Sequence, residues 1–107
     1  MVAWFYLLIA GLFEIGWAIG LKYTEGFSKL VPSVVTVALM LASFNFLAIS
    51  LKTLPIGTAY AVWTGIGAVG TAAIGILFLE ESADLLRVAS IFLIVVGIVG
   101  LKLASPG

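Results

Sequence analysis

The sequence predicts an all-α integral membrane protein of four transmembrane helices, and three observations carry that prediction. Of the 107 residues, 64% are hydrophobic and 9% charged, with a mean hydropathy of +1.33, whereas a soluble domain carries roughly a quarter charged residues. Crossing the hydrocarbon core takes about 20 apolar residues per helix, and four runs reach that length, at 2–21, 30–51, 56–79 and 85–104. The connections between them, "KYTEGFSK", "KTLP" and "EESAD", are too short to fold by themselves. Residues 1–107 therefore read as a single four-helix transmembrane domain, and any chemistry has to sit inside the bilayer.

Composition removes several function classes. The chain has no cysteine and no histidine, so disulfides, thiol nucleophiles and His-based metal or acid-base sites are excluded; no metal, no cofactor and no enzymatic activity are expected. Five basic and five acidic residues balance to zero, which leaves no electrostatic footprint for nucleic acid.

Helix 1 opens with the aromatic belt "WFY" at 4–6, closes at Lys22 and Tyr23, and is expected to be retained, because no basic n-region or A-x-A site precedes it. Helix 2 starts near Pro32, where a missing N–H has no partner to lose. Helix 3 follows "LPIG" and carries "GIGAVG" at 65–70 and then Gly75, which predicts a bend or a tight crossing, since lipid-embedded helices tolerate such glycine. Helix 4 is expected to begin at Ser82, with the hydroxyl as cap and Asp84 complementing the dipole. Along it Ser90, Gly97 and Ala104 recur every seven residues as a ridge of small side chains. The pattern leaves open whether the helix packed there belongs to the same chain or to a second copy.

With both termini on one side, Lys52 and Lys102 lie there and Lys22, Lys29 and Arg87 on the other. Orientation follows the Lys/Arg bias, which is nearly absent, so both orientations are expected to insert. Two oppositely oriented copies could then pair into an antiparallel dimer, the two-chain equivalent of the inverted repeats in larger transporters; the other reading is a weakly biased protein oriented by other features.

A charge at the bilayer centre costs about 2.5–3.5 kcal/mol on insertion scales, so an intramembrane acid suggests function. Glu14 is the one acid well inside a span; Glu25, Glu80, Glu81 and Asp84 fall in connections, where a solvated role is expected. At 100° per residue its helix face also carries Leu7, Ala10, Gly11, Trp17, Ala18 and Leu21. Tyr60, Trp63 and Gly67 share one face of helix 3. Thr36, Ser43 and Ser50 form a polar stripe on helix 2, with Ser43 nearest the middle; Thr36 and Ser50 are expected to bond their own backbone, and Asn45, on the opposite side, a neighbouring helix. One acid, two indoles, a phenol and a hydroxyl suit a small organic cation: the carboxylate supplies charge, the rings supply cation-π faces, and Tyr60 and Ser43 orient the acid. Proton and cation then compete for one group, which is sufficient for exchange. Two glutamates in a dimer limit the exchange to two protons per cycle.

The early Glu14, "KYTEGFSKLVPS" at 22–33 and "LPIGTAYAVWTGIGAVG" at 54–70 resemble the small multidrug resistance family along essentially the whole chain. Within it, "FEIGWAIGLKY" with Trp17, "WTGIG" at 63–67 and "GLK" ending in Lys102 look like the guanidinium exporter subtype. The resemblance implies an antiparallel, dual-topology homodimer in the inner or plasma membrane of a prokaryote, with helices 1 to 3 lining the site and helix 4 joining the copies. It implies proton-coupled export of guanidinium and small guanidinyl cations. Carried over, Glu14 is the shared proton and cation ligand, Trp17, Ser43, Tyr60 and Trp63 line the site, and Gly65 and Gly67 mark the bend of helix 3; with helix 4 joining the copies, the ridge of Ser90, Gly97 and Ala104 is expected to pack the dimer. The alternative is promiscuous efflux of quaternary ammonium and other lipophilic cations by the same family.

Overall fold

In lipid every backbone N–H and C=O has to be satisfied within its own segment, and each long apolar run accordingly forms an unbroken helix. The computed structural model describes residues 2–105. Among them are α1 (Val2–Tyr23), α2 (Leu30–Ser50), α3 (Ile56–Phe78) and α4 (Leu85–Ala104). At 1.5 Å per residue these lengths match the roughly 30 Å hydrocarbon core.

The ends follow side-chain chemistry. After α1, Thr24 Oγ1 donates to the Leu21 carbonyl (2.8 Å) and accepts from the Phe27 N–H (3.2 Å). That hydroxyl holds a turn in which Glu25, Gly26 and Phe27 all take positive φ (48°, 73° and 65°), a conformation that only glycine adopts freely. Pro32 is the third residue of α2, inside the first turn as expected. The start of α4 differs from expectation. Asp84, not Ser82, is the cap: its carboxylate accepts from the Arg87 N–H (2.9 Å), and Ser82 Oγ braces it from outside (3.1 Å). Those two donors hold the Asp84 carboxyl below the usual carboxylate range. Sequence favoured the hydroxyl because it comes first, whereas the carboxylate also complements the helix dipole.

The packing order across the molecule is α2, α1, α3, α4, with α2 also touching α3 and with extents of 43 × 35 × 16 Å. Between α1 and α2 the rings of Tyr6, Phe46 and Phe13 form a stacked ladder, with centroids 5.9 and 5.8 Å apart. The α1–α3 crossing is reciprocal. Ile66 of α3 fills the space over Gly11, and Ile15 of α1 fills the space over Gly70, so the glycines bring the two backbones together.

Helix α4 comes to helix-packing distance of α3 alone, through Ile94 and Ile98 set against Gly65. It reaches α1 by side chains, with the Lys102 ammonium 4.9 Å from the centre of the Trp4 ring. None of its residues is buried. Ser90, Gly97 and Ala104 are exposed, and no atom lies within 4 Å of a Cβ built on Gly97. Of the two readings of that ridge, packing inside the chain is therefore excluded among the described residues.

Candidate functional site

Glu14 lies in the middle of α1, where its carboxyl group meets α3 at Gly67. Any side chain at residue 67 would occupy the volume of that carboxyl. The two isoleucine-on-glycine contacts flank this point, so the crossing that brings α1 against α3 also fixes where the acid sits. Glu14 Oε1 is buried and has no hydrogen-bond partner.

One turn away, Ser43 is fully buried. Its hydroxyl donates to the Ala10 carbonyl (2.7 Å) and accepts from Trp63 Nε1 (3.0 Å). A single side chain thus ties α1, α2 and α3 together. Within this chain the Ser43 proton goes to Ala10 rather than to the acid, and Tyr60 shares no hydrogen bond with Glu14; the expectation that these two hydroxyls orient Glu14 is not met among the described residues. For Ser43→Ala we expect a loss of about 1–3 kcal/mol, because interhelical hydrogen bonds in bilayers are worth about 0.6 and at most 1.7 kcal/mol each and two are removed. Unfolding of the reconstituted protein by SDS titration measures it.

The aromatic side chains form a run across the protomer. Trp17 meets Phe44 edge-on at 6.1 Å, Phe44 meets Trp63 at 6.0 Å, and Trp63 lies 5.6 Å from Tyr60. Trp63 is buried, whereas Tyr60 is 57% exposed, so the run ends on an open face of the molecule. Trp17 Nε1, like Glu14 Oε1, is buried without a partner. Phe44 was missed by sequence reasoning. Its signal was its place beside Ser43 on α2, which becomes meaningful only once α2 is known to lie against both tryptophans.

The remaining expectations divide. Ser50 Oγ donates to the Leu47 carbonyl (2.7 Å), as expected of a hydroxyl bonding its own helix. Thr36 does not: its Oγ1 is buried without a partner and packs against Gly20 of α1. Asn45 is exposed and hydrogen-bonds no other helix among the described residues, because its side of α2 faces away from α1. Glu25 pairs with Lys29 and Glu81 with Arg87, both at the surface. One turn beyond Glu14 and Gly67, Ala18 and Thr71 line a cavity of about 360 Å³ whose mouth carries Lys22, Glu81 and Arg87. Among the described residues no three acidic side chains come together as a metal site would require.

Known proteins resemble the chain closely. The family described as "Small Multidrug Resistance protein" matches residues 2–94. A "Guanidinium exporter" of Yersinia pestis is 62% identical over 104 residues, which cover 97% of this chain and 100% of the relative. Relatives of the same name from Escherichia coli (strain K12) and Citrobacter freundii are 61% and 60% identical, each covering 97% of this chain and 99% of the relative.

Proposed function

This chain belongs to the small multidrug resistance family, as a multi-pass transport protein of the cell membrane, and from that premise we propose that it is a proton-coupled antiporter exporting guanidinium and small guanidinyl cations. The observation that carries the substrate class is the identity of 60–62% across nearly the full length of relatives named as guanidinium exporters.

The site supports it chemically. Guanidinium is planar and presents its N–H donors in a fork that a carboxylate accepts bidentately, and Glu14 Oε1 has an unused acceptor. The faces of Trp17, Trp63 and Tyr60 stabilise the delocalised charge by cation-π contact. Quaternary ammonium ions have no N–H to offer the acid and need more room than Trp17 leaves. A proton and a guanidinium compete for Glu14, so if the site opens to one side at a time, the outward step of the cation is tied to the inward step of protons. Two Glu14 side chains cap the exchange at two protons.

The functional unit is an antiparallel homodimer. The exposed ridge of Ser90, Gly97 and Ala104 supplies the α4 seam, and the open end of the aromatic run at Tyr60 meets the second copy. Gly65 and Gly67 let α3 bend as the site changes the side it faces. Labelling of a cysteine added at one terminus is expected to give comparable amounts on the two sides of the membrane; a single orientation overturns the homodimer.

The deciding experiment for the substrate uses purified protein in liposomes. Guanidinium is expected to drive proton release, and tetraphenylphosphonium is expected to drive little. Release with tetraphenylphosphonium and none with guanidinium overturns the reading in favour of multidrug efflux. Trp17→Gly is expected to shift the balance toward bulkier cations.

A further inference from the structure

A second cavity, of about 260 Å³, lies between α1, α3 and α4. It is smaller than the roughly 300–1,000 Å³ of a pocket for a compact drug-sized molecule. Leu7, Val62, Ile66 and Ile98 form its walls. Its rim residues Leu8 and Leu103 are 48% and 81% exposed, so it is a groove open to the bilayer rather than an enclosed chamber. On α3, Val62 and Ile66 lie about 100° or more around the helix from Tyr60 and Gly67. On α3 the groove is thus turned away from Tyr60 and Gly67, and on α1 it reaches Leu7, two turns along the helix from Glu14.

One end of this apolar groove is charged. Trp4 and Lys102 line it where α1 starts and α4 ends, at the level of the membrane surface, and the ammonium lies over the indole. Lys102 pairs with no carboxylate among the described residues. The four acids outside the spans, Glu25, Glu80, Glu81 and Asp84, all belong to the connections at the opposite end of the helices. Trp4 Nε1 is buried without an acceptor.

A hydrocarbon slot ending in a cation that has no carboxylate partner among the described residues is complementary to one class of molecule that every bilayer supplies. We propose that the groove holds an acyl chain of an anionic phospholipid whose phosphate sits on Lys102. Basic pockets between transmembrane helices recognise anionic headgroups in this way, and the long lysine stem reaches the interface while its methylenes stay among the apolar walls. In an antiparallel pair the two grooves draw lipid from opposite leaflets.

The test reads bound lipid and no transport, so it stands apart from the export reading. Protein taken from vesicles of equal phosphatidylcholine and phosphatidylglycerol is examined by native mass spectrometry. Retention of phosphatidylglycerol over phosphatidylcholine is expected. Lys102→Met should lower it about fivefold, equivalent to the about 1 kcal/mol a basic residue contributes at an anionic surface, and Lys102→Arg should keep it. Phosphatidylglycerol with brominated chains should also quench Trp4 fluorescence in a chain carrying Trp17→Phe and Trp63→Phe, which guards against a Lys102→Met chain that fails to fold. Equal retention of the two lipids, phosphatidylglycerol retention unchanged by Lys102→Met, or absence of quenching overturns the proposal.

Discussion

Glu14→Gln is expected to abolish guanidinium-driven proton release while leaving the four helices assembled. The amide is nearly isosteric with the carboxyl, so the contact with Gly67 survives. No hydrogen bond to Glu14 Oε1 is broken, because none is made. What disappears is the charge and the titrating proton. Hydrogen bonds to charged groups contribute about 1.5–3 kcal/mol each, so losing a bidentate pair weakens guanidinium binding by about 100-fold or more. Loss of the proton site removes coupling altogether. Guanidinium uptake and proton release measured together in liposomes check both. Exchange that persists in Glu14→Gln would mean that the acid is structural and that the transport reading has the wrong residue.

Gly67→Ala is the second large effect, and its direction separates packing from propensity. Alanine is the better helix former by about 1 kcal/mol, so helix formation alone predicts a neutral or slightly stabilising change. The added methyl group, however, lands on the Glu14 carboxyl. Either the helices separate or Glu14 leaves its rotamer at a cost of about 0.5–1.5 kcal/mol, and we expect guanidinium affinity to fall up to about tenfold in a protein that still folds. Gly57→Ala is the matched control on the same helix, because nothing lies within 4 Å of a Cβ at that position; it is expected to transport as the unaltered chain does. Equal behaviour of the two variants would remove Gly67 from the account of the site.

The four spans were legible because composition and length alone distinguish a bilayer helix, and because a charge in mid-span is costly enough for Glu14 to stand out. The helical count also found the stripe containing Ser43. It could not say which face of one helix meets which face of another. The count puts Gly67 on one face with Tyr60 and Trp63, but that the carboxyl of Glu14 is its nearest neighbour, and that Phe44 lies between two tryptophans, follow only from how the helices pack. The rule that sends a membrane hydroxyl to its own backbone holds for Ser50 and fails for Thr36; the difference is Gly20, which lets α1 approach so closely that the Thr36 hydroxyl is enclosed. Asn45 shows the converse error. A polar side chain in a span suggests a partner, but α2 turns that side away from its neighbour in the chain.

The protomer extends only 16 Å in its shortest direction, and its aromatic run ends at Tyr60 on an open face. In the pairing proposed above, a second copy meeting that face in the plane of the membrane completes the enclosure of the site. Activity then obeys surface mass action. At low density, halving the number of copies per membrane area should cut transport about fourfold rather than twofold, and added lipid alone should silence the protein without unfolding a single helix.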